Sequence, residues 1–224
     1  MDYPAEPWDL QGHGYVSLWQ VPVPALPPLP PEVKPISVLG RALVATAFVD
    51  YLPGSLLPYH ELLVGVLVRQ GRHVGLTITD IWVDSPSSKA GGRELWGIPK
   101  ELADFKLVHE PTFTGVATAG ETLLAEAQVQ KQFQDIQLPF RQKNAAPRRF
   151  PPKGGVRLPF PVKGTVLQTL NGTLAHTPVR ATGRINLARG TWQFGGPLTW
   201  LSGRRPLTTI TATDFQLRFG PRRA

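Results

Sequence analysis

The sequence predicts a mainly β protein, a mostly antiparallel barrel in one domain spanning residues 1–224. Three observations lead there. Segments rich in branched residues repeat with a period of two, turn residues punctuate them, and helix signals are scarce. Strands are expected at Tyr15–Val21, Arg41–Val49, His60–Arg69 and His73–Val83, the last two joined by Gln70-Gly71-Arg72 as a hairpin. Further strands are expected at Thr112–Ala119, Thr122–Gln132, Gly164–Gly172, Val179–Leu187 and Leu207–Phe219, with Asn171-Gly172 as a second hairpin turn. A short helical turn is expected after Ser87-Ser88, where serine can cap, and another over Pro197–Leu201.

Two proline-rich stretches interrupt the pattern. Val21–Pro35, with seven prolines, should be extended, polyproline-like and unable to form a central strand. Pro147–Pro161 mixes proline, glycine and basic residues. Both are read as long loops of one domain, because the strands on either side are too few to close separate cores.

Composition narrows the function classes. The longest apolar run, Leu62–Val68, is far too short to span a bilayer. The N-terminal Met1-Asp2-Tyr3-Pro4-Ala5-Glu6 lacks the basic and apolar regions of a signal peptide, so a cytoplasmic protein without membrane association is expected. The absence of cysteine removes disulfides, thiol nucleophiles and thiolate metal sites. His13, His60, His73, His109 and His176 show no metal-ligand spacing, and no phosphate-binding glycine loop suggests a nucleotide cofactor. Charge is lopsided. Residues 1–110 hold 8 Lys+Arg against 12 Asp+Glu, whereas residues 111–224 hold 16 against 4. The basic residues are mostly single and accompany no nucleic-acid-binding motif, so solvated arginines are the preferred reading and no nucleic-acid partner is expected. A positive field would also draw in an anionic substrate such as a carboxylate.

The segment Gly92-Arg93-Glu94-Leu95-Trp96-Gly97-Ile98-Pro99-Lys100-Glu101-Leu102 carries the chemistry. Proline fixes its own φ, which gives Lys100 a predetermined place after Pro99. Trp96, Ile98 and Leu102 can keep water from it. Burial disfavours an ammonium, and a free amine lone pair can attack a ketone. Arg93 and Glu94 are read as an ion pair ordering the segment, and Trp96 as a pocket wall. Upstream, Tyr59-His60-Glu61 places a carboxylate at the start of the apolar strand Glu61-Leu62-Leu63-Val64-Gly65-Val66.

Gly-Arg-Glu-Leu followed by Pro-Lys resembles the signature around the Schiff-base lysine of the acetoacetate decarboxylase family. Tyr59-His60-Glu61 resembles the family's Tyr-x-Glu, and its spacing to Lys100 matches without a gap. The resemblance runs roughly over residues 41–108. It implies a cone-shaped barrel with peripheral strands and a homo-oligomer. It also implies a decarboxylase in which Lys100 forms an iminium with a small keto-acid substrate and Glu61 transfers protons. Such chemistry needs no metal or organic cofactor. Tyr59 and Trp96 would contact the substrate, as would His13, which aligns with an arginine of the family's first strand. The chain departs from the decarboxylases proper at Glu101, where they carry a second lysine. Acetoacetate decarboxylase is the standard illustration of a lysine activated by desolvation or a neighbouring cation. Without that cation, desolvation has to supply the whole effect, with Glu101 turned away from the amine. Aldol condensation, dehydration and retro-aldol cleavage draw on the same iminium. A non-catalytic barrel holding a small acid, with Lys100 as counter-ion, is the rival from another class.

Overall fold

The computed structural model describes residues 2–132, 156–157 and 162–223. Strand β1 (Trp8–Pro22) begins earlier than its apolar pattern suggests. It lies between two strands, and ladders on both sides hold Gln11 to Gly14 extended despite two glycines. The proline-rich stretch follows as a 3₁₀ turn at Val23–Ala25 and irregular chain, then the two-residue edge strands β2 (Lys34–Pro35) and β3 (Ser37–Val38). The long strands β4 (Arg41–Tyr51), β5 (Tyr59–Gln70) and β6 (His73–Val83) form an antiparallel meander.

Helix α1 (Pro86–Trp96) is longer than the single turn expected, and its cap is Ser85, whose Oγ accepts from the Ser88 N–H. Pro86 fits the first turn because its missing N–H would be unpaired there anyway. Strands β7 (Lys100–Leu102), β8 (Asp104–Val108), β9 (Phe113–Ala119) and β10 (Thr122–Lys131) follow. Of the expected Pro147–Pro161 loop only Val156–Arg157, the short strand β11, lies within the described residues. The chain closes with β12 (Val162–Leu170), β13 (Thr173–Phe194) and β14 (Thr208–Phe219), and a 3₁₀ turn at Gly196–Leu201 stands where a short helix was expected.

Strand order around the sheet is β12-β6-β5-β4-β1-β14-β13, and β13 pairs back to β12, so these strands close a ring. A single parallel pairing, Val166 with Leu76, completes it between β12 and β6. Strand β13 is more than twice as long as expected because it serves two structures. Its first half pairs with β12, and its second half carries β10, β9 and β8 beyond the ring.

The period-two alternation divides the ring strands between two cores. Leu62, Val64, Val66 and Val68 of β5 join Trp19, Val44 and Phe48 in a core shared with Phe113, Leu124 and Val129 of the peripheral strands. The odd-numbered side chains of β5 face the other way. Tyr59 and Leu63 belong there with Trp8, Tyr51, Trp96, Val166 and Phe215. No helix among the described residues is long and apolar enough to cross a membrane.

Candidate active site

Lys100 and Glu61 meet on this second face. Strand β7 lies parallel to β6 with Lys100 opposite Ile81, and Ile81 is also the partner of Leu63 on β5. Lys100 and Glu61 are each 4% exposed. The Lys100 Nζ donates to Glu61 Oε2 at 2.9 Å, to Ser88 Oγ at 2.9 Å and to Tyr59 Oη at 3.1 Å. It also lies 4.8 Å from the Tyr59 ring centroid, within cation–π range. Three hydrogen bonds use every donor an ammonium has.

Glu61 is held by two phenols. Tyr59 donates to Oε2 at 3.2 Å and Tyr51 to Oε1 at 3.3 Å. Burial, and then the Glu61 charge, push both phenols well above their ordinary range, so they remain protonated donors. Trp8 and Trp96 meet edge to face at 4.7 Å, and Trp96 packs likewise on Phe219, forming one wall. The Trp96 Nε1 donates to Glu6 at 2.8 Å.

Helix α1 presents Ser88, Gly92 and Trp96 to the site, spaced at i, i+4 and i+8 on one face. A Cβ on Gly92 would stand 2.7 Å from Lys100 Cδ, so glycine is what lets the helix backbone lie against the lysine stem. Gly97 ends the helix in the left-handed region at φ 67°, which turns the chain sharply into Ile98-Pro99-Lys100.

The expected Arg93–Glu94 pair does not form. Helical geometry sends Arg93 toward β7, where its Nε donates to the Lys100 carbonyl at 2.7 Å and its guanidinium pairs with Glu101. Glu94 instead accepts from the Tyr3 hydroxyl at 2.7 Å. Glu101 points away from the Lys100 amine, as expected, since neighbouring residues of an extended strand face opposite sides. Lys89, at 2.8 Å, and Arg93 hold its carboxyl below the ordinary range.

His13 is not brought to this site. As an odd-numbered residue of β1 it faces opposite to Trp8 and Leu10, into a polar recess with Tyr15, Asp50 and His109. Its Nδ1 accepts from the Asp214 backbone N–H at 3.2 Å. His60 likewise leaves the pocket, paired with Asp84 at 2.6 Å. Sequence reasoning missed Ser88, Tyr51, Trp8 and Gly92. Ser88 reads in sequence as a capping residue, although the i, i+4 series of Ser88, Gly92 and Trp96 is a signal for one helix face. Tyr51 and Trp8 carried no signal of their own. No group of three or more His, Asp or Glu side chains among the described residues is placed to hold a metal ion.

The ring of strands thus carries a buried amine beside a buried carboxylate at one end of an apolar cavity. The acetoacetate decarboxylase (ADC) family model matches residues 19–189, and the chain belongs to that family. Acetoacetate decarboxylase 3 of Mesorhizobium japonicum is 36% identical over 83 residues, a match covering 36% of this chain and 29% of that protein. The crystal structure of the acetoacetate decarboxylase of Legionella pneumophila superposes with a TM-score of 0.70 at 19% identity, over 99% of this chain and 89% of that one. The enduracididine biosynthesis enzyme MppR follows at 0.64 and 16%, covering 100% and 88%. An acetoacetate decarboxylase-like enzyme of Sphingomonas wittichii gives 0.64 and 14%, covering 98% and 92%. At these identities the three structures establish a shared fold.

Proposed function

We propose that the protein is a Schiff-base lyase of the acetoacetate decarboxylase type, acting on a keto acid through Lys100. The observation that carries this reading is the buried contact of 2.9 Å between Lys100 Nζ and Glu61 Oε2. A proton passed from the ammonium to the carboxylate leaves a neutral amine and a neutral acid, with no net charge added to a dry site. The amine nitrogen then bonds to the ketone carbon. The carbonyl oxygen leaves as water, protonated with the help of Glu61, and an iminium remains. In a β-keto acid the bond to the carboxyl carbon breaks, its electron pair moves toward the iminium nitrogen, and carbon dioxide departs. The resulting enamine takes a proton at carbon, and water hydrolyses the iminium to release the ketone and the amine. Tyr51 and Tyr59 hold Glu61 in place for these transfers, and Ser88 aims the nitrogen.

A second reading shares the iminium but follows it with aldol condensation or dehydration. Glu101 favours it, because the second lysine of the decarboxylases proper is replaced by a carboxylate engaged outside the pocket with Lys89 and Arg93. One related structure is that of MppR complexed with the condensation product of pyruvate and imidazole 4-carboxaldehyde.

The test is reductive trapping. Incubation with a panel of keto acids and borohydride, followed by peptide mass spectrometry, is expected to place the reduced adduct at Lys100. Absence of labelling over the panel, or equal labelling of Lys89 and Lys106, would leave a non-catalytic acid-binding barrel as the better account. Carbon dioxide release from the same incubations separates decarboxylation from the second reading.

A further inference from the structure

The cavity around Lys100 is far larger and far more apolar than a four-carbon keto acid requires. Its volume is about 580 Å³, within the range of pockets that hold drug-sized ligands (about 300–1,000 Å³). It is also long. Lining side chains run along β5 from Glu61 through Leu63 to Leu67, roughly 20 Å at about 3.3 Å per residue. The parallel row on β6 extends from Ile81, beside Lys100, through Ile78 and Leu76 to Val74. The far wall is supplied by Val166, Val179 and Leu217.

Its two ends differ. Lys100, Glu61, Tyr59, Trp8 and Trp96 are all buried at one end. At the other, Val74 is 60% exposed and Lys163 and Gly164 are exposed, which makes that end the mouth. A ketone that enters at this end reaches Lys100 head first, leaving whatever it carries lying along the apolar rows.

The cavity also offers a carboxylate little. Among its described lining residues the only cations are Lys100 and Lys163. Lys163 stands at the mouth, too far to touch a carboxyl group attached two bonds from the carbon that Lys100 attacks. No arginine stands among the described lining residues to grip the anion bidentately. A compact keto acid would therefore leave most of the described lining uncontacted. Apolar contact is what this cavity has in quantity, and binding energy scales with the apolar area buried.

We propose that the substrate is a keto acid bearing a long, unbranched apolar chain, a β-keto acid of fatty-acyl type. Its keto acid head meets Lys100 at the closed end, and its chain lies between Leu63, Leu67 and Leu76 on one side and Val166 and Val179 on the other. This rests on the Schiff-base reading above, and gives the lysine site its substrate class.

The test is borohydride trapping at Lys100 with straight-chain methyl ketones and β-keto acids of increasing length, starting from acetone and acetoacetate. The half-saturating concentration should fall by about three- to fourfold for each added methylene, until the chain fills the cavity. Leu67→Trp, and independently Leu76→Phe, should move the preferred length downward, because each fills the part of the row nearest the mouth. Trapping at Lys100 that is equally efficient at every length, or best with acetone and acetoacetate, overturns the chain-bearing substrate while leaving the Schiff base standing. Trapping with no member of the series removes the Schiff base and the substrate class together.

Discussion

The Lys100 amine and the Glu61 carboxylate are separated by 39 positions in sequence and 2.9 Å in space. Strand register produces that closeness. Glu61 faces the cavity because it is an odd-numbered residue of β5. Lys100 faces it because β7 aligns the lysine with Ile81 across β6. Both side chains are almost wholly buried, so each is the other's principal charged partner. Removing one partner from such a pair costs far more than an exposed ion pair would.

Glu61→Gln retains the shape of the side chain and its contacts with Tyr51 and Tyr59, but it cannot accept the Lys100 proton. Turnover should fall by about 10²–10⁴, the usual worth of a positioned acid or base, with an unchanged circular dichroism spectrum. A variant turning over at the wild-type rate would reduce Glu61 to a structural carboxylate.

Gly92→Ala separates stability from chemistry. Alanine gains about 1 kcal/mol of helix propensity over glycine, comparable to the low end of the cost of overpacking. The melting temperature should therefore move little. The new methyl, however, must displace a lysine stem held by three hydrogen bonds, and a shift approaching 1 Å can cost up to about 10² in rate. Trapping kinetics identical to wild type would show that the stem moves aside freely.

Glu101→Lys tests whether the carboxylate outside the pocket influences the amine within. Its exposed pairs with Lys89 and Arg93 are worth at most about 1 kcal/mol, so only slight destabilisation is expected. The pH dependence of Lys100 labelling should be unchanged, because the new charge is hydrated and faces away. A displacement of that profile by a full unit would make Glu101 a control on the reaction. In the wild type the carboxyl sits below its ordinary range, so its contribution to stability is present above that range and lost as pH falls through the lowered value.

The phenols give a spectroscopic signature. Tyr51 and Tyr59 are raised well above 10, Tyr15 is raised by burial, and Tyr3 is raised by its bond to Glu94. These are all four tyrosines of the chain. Ultraviolet titration should show little phenolate near pH 10 in the folded protein. Above about pH 10 an unfolded chain ionises phenols that the folded one keeps protonated, so stability should decline as pH rises. A normal titration of three or more of the four tyrosines in the native state would contradict the buried contacts with Glu61.

Local pattern alone made the strands legible, since β-branched alternation marks β4, β5 and β6, Gly71 the β5–β6 hairpin and Gly172 the β12–β13 hairpin. The expected bounds His73–Val83 are those of β6. The family was legible too, because Gly92 to Lys100 and Tyr59 to Glu61 are short contiguous signatures. What the sequence could not supply was which face each residue would show, or which distant strands would meet. His13 fell on the opposite face from Leu10 by the period of two. Arg93 turned from its neighbour Glu94 to Glu101 because a helix aims its side chains along its own surface. Ser88, Tyr51 and Trp8 reached the site only when α1, β4 and β1 were brought around β5. Pairing between strands is set by long-range closure of the ring, and no local propensity encodes it. The residues able to do the chemistry were therefore written in the chain. The length of the cavity, and the burial that sets Lys100 apart from the other described lysines, came only from how the ring closed around them.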